Sequence, residues 1–233
     1  MGLIGGMSWE SSLEYYRIIN EAVKEKLGGH HSADCLMYSL DFGPVKDLQF
    51  KGNWDKLSDM MIEAGLRLKN GGAEQITICT NTMHMMADAV EQATALPVIH
   101  IADTAAEAIK TKNISKVLLL GTRFTMEEDF YKGRLAKKHG IEVLIPDPDD
   151  VDIVNDIIYN ELVLGSILEE SKKEYIRIIE KMVSRGSRGV ILGCTEIPLL
   201  IKQEDCSVPV FDTTTIHAIK TVEKAFDKYV NKI

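Results

Sequence analysis

Apolar positions along this chain switch repeatedly between two periods. Leu3-Ile4 is a short apolar run closed by Gly5-Gly6. From Trp9 to Lys26 the apolar residues Leu13, Tyr16, Ile19 and Val23 recur at helical spacing with charges between them, and Gly28-Gly29 ends the pattern. Cys35 to Leu40 alternates as a strand does, and Asp41-Phe42-Gly43-Pro44 reads as a break. A helix is predicted over Asp55 to Lys69, closed by Asn70-Gly71-Gly72, then a strand over Gln75 to Cys79, helix from Met83 onward, a strand over Pro97 to Ile99, and helix through Ala105 to Thr111.

The same order then returns. Strands are predicted over Lys116 to Leu120, Ile141 to Leu144, Gly189 to Leu192 and Pro209 to Phe211. Helices are predicted over Phe124 to His139, Val151 to Leu162, Ser171 to Arg185 and Thr215 to Asn231, with Pro146-Asp147-Pro148-Asp149 as a turn. Strands alternating with helices imply parallel sheets in an α/β architecture. Gly6 and Gly121 stand 115 residues apart, as do Cys79-Thr80 and Cys194-Thr195, and Ala108-Ile109-Lys110 recurs as Ala218-Ile219-Lys220. A near-constant offset between matching landmarks is the mark of a duplication. The expected fold is therefore α/β with two pseudo-symmetric domains, each a short parallel sheet flanked by helices. Residues 1–100 plus 212–233 form the first, with the last helix returning to it, and residues 101–211 form the second.

Composition narrows the function. The chain has 233 residues, 45% hydrophobic and 27% charged, with 27 basic and 35 acidic residues and a formal charge of −8. That content supports a packed core and excludes general disorder. An acidic chain without a basic stripe argues against nucleic acid as a partner. No apolar run reaches the ~18 residues of a membrane helix, and Met1 to Gly6 lacks the basic and apolar regions of a signal peptide, so a cytoplasmic chain with no membrane partner is expected. Cys35, Cys79, Cys194 and Cys206 form no CxxC pair or zinc spacing. His30-His31 near Cys35 lacks further ligands at suitable spacing and reads as a solvated loop, so no metal is expected.

Two constellations stand where apolar strands run into small polar residues. Ile78-Cys79-Thr80-Asn81-Thr82-Met83-His84 is one, and Gly193-Cys194-Thr195-Glu196-Ile197-Pro198 is the other. Ligands of open α/β sheets sit at carboxyl ends of strands, where helix amides and short polar side chains suit a carboxylate. Asn81 or Thr82 could be a simple helix cap, and Cys194 a buried inert thiol, but matched positions in two halves favour function. A thiol before a helix is expected to have a lowered pKa. Gly5-Gly6-Met7-Ser8-Trp9-Glu10 and Gly121-Thr122-Arg123-Phe124-Thr125 read as strand-to-helix turns or substrate loops; neither is a GxGxxG nor a GxxxxGK[ST] motif. His84 could approach the first constellation from a helical turn, while His100 and His217 read as structural or rim groups. Two facing strand-end sites suit removal of a proton from one face of a carbon and its return to the other.

Gly5-Gly6-Met7-Ser8-Trp9, Cys79-Thr80-Asn81-Thr82-Met83-His84, Gly121-Thr122-Arg123-Phe124-Thr125 and Gly193-Cys194-Thr195-Glu196 resemble the aspartate/glutamate racemase family over nearly the whole chain. The resemblance implies two pseudo-symmetric domains with the active site in the cleft between them, no pyridoxal phosphate or other cofactor, a small amino-acid substrate, and one catalytic residue from each domain. Aligned on Asn81-Thr82, the first catalytic position falls on Thr80; aligned on the 115-residue repeat, it falls on Cys79. Adjacent strand residues point opposite ways, so the two registers differ in substance. Thr80 is favoured, which resembles a Thr/Cys branch associated with L-acidic amino acids. Gln49 and Val163 stand where many relatives carry arginine and lysine.

The expected protein is a cofactor-independent racemase of aspartate or glutamate, working as a homodimer. Thr80 and Cys194 are its catalytic pair, and Met7, Gln49, Asn81, Thr82, Thr122 and Thr195 contact substrate. The alternatives are a malonate-type decarboxylase or isomerase of the same superfamily, and a non-catalytic small-acid binding protein.

Overall fold

The computed structural model describes residues 1–230, with residues 228–230 described by their backbone alone. The chain divides into two units, residues 1–100 with 217 onward, and residues 101–216.

The first unit runs β1 (Gly2–Gly5), α1 (Trp9–Leu27), β2 (Leu36–Ser39), α2 (Phe42–Phe50), α3 (Trp54–Asn70), β3 (Ile76–Ile78), a 3-10 turn (Thr82–Met86), α4 (Ala87–Thr94) and β4 (Val98–Ile99). Its sheet has the order β2-β1-β3-β4, all parallel, with Ile4 opposite Tyr38 on one side and Ile78 on the other. Ser8 starts α1 by accepting from the Ser11 amide at 3.3 Å, and Gly28 ends it with φ 74°. The inner strands β1 and β3 are buried on both faces, which is why they read as apolar runs, whereas the edge strand β2 is largely exposed. Side chains alternate across the sheet: Ile4, Ile76 and Ile78 pack toward α3 and α4, while Leu3 and Cys79 pack on the α1 side with Tyr15 and Ile19.

The second unit begins with α5 (Ile101–Thr111) and continues β5 (Lys116–Gly121), α6 (Arg123–Glu127), α7 (Asp129–His139), β6 (Glu142–Leu144), α8 (Pro148–Asn160), a 3-10 turn (Leu162–Leu164), α9 (Glu169–Ser184), β7 (Val190–Gly193), α10 (Ile197–Leu200), a 3-10 turn (Gln203–Asp205) and β8 (Val210–Asp212). Its parallel sheet has the order β6-β5-β7-β8, the topology of the first. Leu118 and Leu120 face α8 and α9, while Val117 and Leu119 face α5 and α7. The last helix, α11 (Thr213–Val230), leaves β8; its residues Ala218 and Val222 complete the α1-side core of the first unit.

Four local expectations are corrected. The break at Asp41 to Pro44 is the start of α2: the Asp41 carboxylate accepts the Gly43 amide at 3.1 Å, and a proline in a first turn has no amide to satisfy. The single helix over Phe124 to His139 is two, because Glu128 is extended (φ −78°, ψ 153°); apolar spacing does not register one extended residue. Pro148 is the first residue of α8 rather than a turn residue, with Asp149 and Asp150 favourable in its first turn. The helix after Cys79 opens as the 3-10 turn. The predicted end of the last helix at Asn231 lies outside the described residues.

No helix among the described residues is long and apolar enough to cross a membrane, and no group of three or more metal-ligating side chains forms among them.

Candidate active site

Each sheet has a topological switch point, between β1 and β3 in the first unit and between β5 and β7 in the second. Chains leave such neighbouring strands toward opposite sides, opening a crevice at their carboxyl ends.

In the first unit the loop after β1 is bound closely to the end of β3. Gly6 has φ +85°, and a Cβ there would lie 2.0 Å from the Leu40 carbonyl oxygen, so only glycine fits. The Gly6 amide donates to Ser12 Oγ at 2.7 Å, and Ser11 Oγ donates to the Cys79 carbonyl at 2.7 Å. Cys79 is fully buried among apolar residues of the α1 side, where desolvation drives its thiol pKa far up. Thr80, one residue on, is partly exposed, and its carbonyl is 2.7 Å from His84 Nδ1. Asn81 and Thr82 are buried at the start of the 3-10 turn; Asn81 makes no side-chain cap bond to it.

Met7 is 5% exposed and belongs to the α3-side core. Gln49 sits in the last turn of α2, and its Nε2 donates to Met83 Sδ at 3.3 Å.

Beneath this end lie three buried histidines. The His84 ring is 4.9 Å from His100 and 5.2 Å from His217, centroid to centroid. His217 is fully buried, with Nδ1 2.7 Å from Tyr15 Oη and Nε2 2.7 Å from the Ile99 carbonyl. Burial, and then repulsion from His84, push its pKa down to about 3 against the opposing Ile99 bond.

In the second unit β5 and β7 close together at their ends: a Cβ on Gly121 would lie 2.8 Å from the Gly193 oxygen. Gly121 and Gly193 are register partners, so Thr122 and Cys194 follow at one level. Thr122 caps α6, accepting the Thr125 amide at 3.3 Å. Cys194 is partly buried, and its Sγ donates to Glu196 Oε2 at 2.9 Å. Thr195 Oγ1 donates to the same oxygen at 2.7 Å. Glu196 is 7% exposed, so this thiol and hydroxyl are gathered on a buried carboxylate.

The expectation of a lowered thiol pKa is overturned. Burial raises the Cys194 pKa well above its ordinary value, the Glu196 charge adds to this, and amides of Glu196 and Thr195 oppose it too weakly. The helix that follows has four residues and begins only at Ile197, so its end charge is small. Val163 lies in the Leu162–Leu164 turn, packed against the second unit's core.

The sequence reading gave Glu196 no role. Its signal was an acidic residue directly after a buried strand, two positions from a cysteine.

Two units of one parallel topology, each with a polar cluster at its switch point, define a duplicated α/β protein. The family model of the Asp/Glu/hydantoin racemases matches residues 4–221, and the chain belongs to that family. It is similar to the crystal structure of a candidate Asp/Glu racemase from Yersinia pestis, at 54% identity and TM-score 0.92, covering 97% of this chain and 98% of that one. It is also similar to an aspartate racemase homologue from Pyrococcus horikoshii OT3, at 38% identity and TM-score 0.83, with the same coverage, 97% and 98%. Among curated proteins, the broad specificity amino-acid racemase RacX of Bacillus subtilis is 21% identical over 225 residues, 95% of this chain and 96% of that protein.

Proposed function

We propose that this protein is an amino-acid racemase that acts on aspartate or glutamate without pyridoxal phosphate. Cys194 and Thr80 exchange the α-proton with opposite faces of Cα. Asn81, Thr82 and Thr195 hold the α-carboxylate and amino group, and Met7, Gln49 and Thr122 line the substrate site.

The observation that carries the reading is the hydrogen bond from Cys194 to Glu196 at 2.9 Å. A thiol takes a proton from carbon only as thiolate. Glu196 is placed to accept the thiol proton as the base forms and to return it afterwards. Because burial and the carboxylate both disfavour thiolate, the thiolate is a transient species, populated when substrate arrives. In one direction the Cys194 thiolate removes the α-proton, and the carbanion takes a proton from the Thr80 side, through its hydroxyl or a water held there. A hydroxyl is a far weaker base than a thiolate, so the two directions are unequal.

Gln49 is a neutral amide, and no cation on it selects one side-chain length. That supports acceptance of both acidic amino acids.

The test is loss of the α-proton of each enantiomer in D₂O, followed by NMR. One enantiomer should exchange far faster than the other. Cys194→Ala should abolish exchange, Glu196→Gln should slow it by about 100-fold, an ordinary general acid–base effect, and Cys79→Ala should leave it within a few-fold. Equal exchange from both enantiomers, or inactivation by Cys79→Ala with the fold intact, overturns the Thr80 assignment.

The sealed position of Cys79 leaves one thiol near a strand end, which also suits a malonate-type decarboxylase that reprotonates a single face. Release of CO₂ from an arylmalonate without exchange of amino-acid α-protons would replace the racemase reading with that one.

A further inference from the structure

Beside the Cys194 end of the second sheet, the start of α11 holds a polar group with nothing to bind. Thr214 is 4% exposed, and its Oγ1 has no hydrogen-bond partner among the described residues. Its neighbours are fully engaged. Thr213 Oγ1 donates to the Leu192 carbonyl at 2.7 Å, holding the helix start against the end of β7. Asp212 accepts the amides of Thr214 and Thr215 at 3.0 and 3.2 Å, and its other oxygen accepts the Thr215 hydroxyl at 2.7 Å. Native chains pair nearly all buried polar atoms, so an unpartnered buried hydroxyl next to the strand end that leads to Cys194 points to a ligand.

Register places the orphan. Leu192 and Asp212 are the last paired residues of β7 and β8. Cys194 and Thr214 each lie two residues beyond that pair, on the segments that leave β7 and β8, and the bond from Thr213 to the Leu192 carbonyl keeps the start of α11 against the end of β7.

Charge decides which part of a substrate belongs there. Asp212 already takes the Thr214 and Thr215 amides, so a carboxylate there is left only the Thr214 hydroxyl as donor and meets a like charge. Among the described residues Asp212 has no cationic partner, and the Glu196 carboxylate is two residues beyond Cys194. This is a setting for a cation.

Resting on the racemase reading, we propose that Thr214 is a substrate-positioning residue: its Oγ1 accepts a hydrogen bond from the α-ammonium group of the amino-acid substrate, with the Asp212 charge behind it. Held there, the ammonium sets Cα against Cys194 and makes an α-amino group a condition of tight binding.

Binding of aspartate and glutamate, and of succinate and glutarate, which keep both carboxylates but lack the amine, tests this by calorimetry. Thr214→Val keeps the side-chain shape and breaks no internal hydrogen bond, so its melting temperature should be unchanged or higher. It should weaken aspartate or glutamate about tenfold or more, the effect of losing a hydrogen bond to a charged group. It should leave succinate and glutarate within twofold, and Thr214→Ser should restore amino-acid affinity. Equal weakening of all four ligands assigns Thr214 to a carboxylate or to shape, and overturns the proposal. No weakening of any also overturns it, leaving Oγ1 to a water. Failure of all four ligands to bind the unaltered protein overturns the racemase reading itself, and this inference with it.

Discussion

His217 shows how much one residue's surroundings decide. It lies on an amphipathic helix pattern, yet it is fully enclosed between Tyr15 and the Ile99 carbonyl, with its pKa pushed down to about 3. In the unfolded chain the same imidazole titrates near 6.5. Between those values the unfolded state binds the extra proton, so stability is full above about pH 6.5 and falls with acid at about 1.4 kcal/mol per pH unit until about pH 3. Urea denaturation at pH 7, 6, 5 and 4 should show this slope, and His217→Gln should flatten it while lowering stability at pH 7. At the strand end, by contrast, Cys79 and Thr80 are adjacent in sequence but differ sharply in burial. The thiol joins the core, and the hydroxyl residue is partly exposed.

At the scale of elements, α5 and α7 are joined through one carboxylate. Asp103 receives Arg134 at 2.8 and 2.9 Å, Lys138 at 2.6 Å and His139 at 2.7 Å. Burial opposes its ionisation, but these hydrogen bonds outweigh burial and hold the carboxyl well below its ordinary range. Its folded pKa is depressed, so its contribution is complete above about pH 4 and is lost as acid protonates it. Asp103→Asn should cost about 2 kcal/mol at neutral pH, the scale of charge-assisted hydrogen bonds, and should show less acid sensitivity than the parent in thermal melts. None of this pairing was legible in sequence. Asp103 lies near the start of one helical pattern and its three partners at the end of another, and periodicity carries no information on which helices meet. Helix α2 was missed for a related reason: Gly43-Pro44 breaks a helix interior but suits a first turn capped by Asp41.

At the scale of the whole molecule the chain passes between its units twice, after His100 and after Ile216. The second passage lies inside α11. Beyond it, Ala218 and Val222 enter the first unit's core, Gln75 Nε2 donates to the Thr221 carbonyl at 2.9 Å, and Thr77 and Thr221 hydroxyls meet at 3.0 Å. Deleting residues 217–233 should therefore uncover the buried side of β1 and β3. Calorimetry should show loss of the first unit's unfolding transition, while the second unit, which keeps both of its helix layers, retains one. The net charge of −8 also belongs to this scale. A protein of that charge does not draw an anionic ligand by its overall field, so the proposed acidic amino-acid substrate would be recognised by local amides, hydroxyls and helix ends.

The sequence by itself determined the alternation of strands and helices, the duplication, the two strand-end motifs and the parallel sheets, because each follows from spacing along the chain. It reached Cys194 but not Glu196, and it held Cys79 and Thr80 as two registers. The burial of Cys79 and the contact of Cys194 with Glu196 arise only in three dimensions. Which face of β3 a side chain occupies depends on where the strand ends and what covers it. Which carboxylate meets a thiol depends on how the chain turns after β7. Whether a helix end lowers a thiol pKa depends on the length of that helix and on burial. Spacing fixes the order of groups along the chain, whereas desolvation and hydrogen-bond geometry exist only once distant segments have packed together.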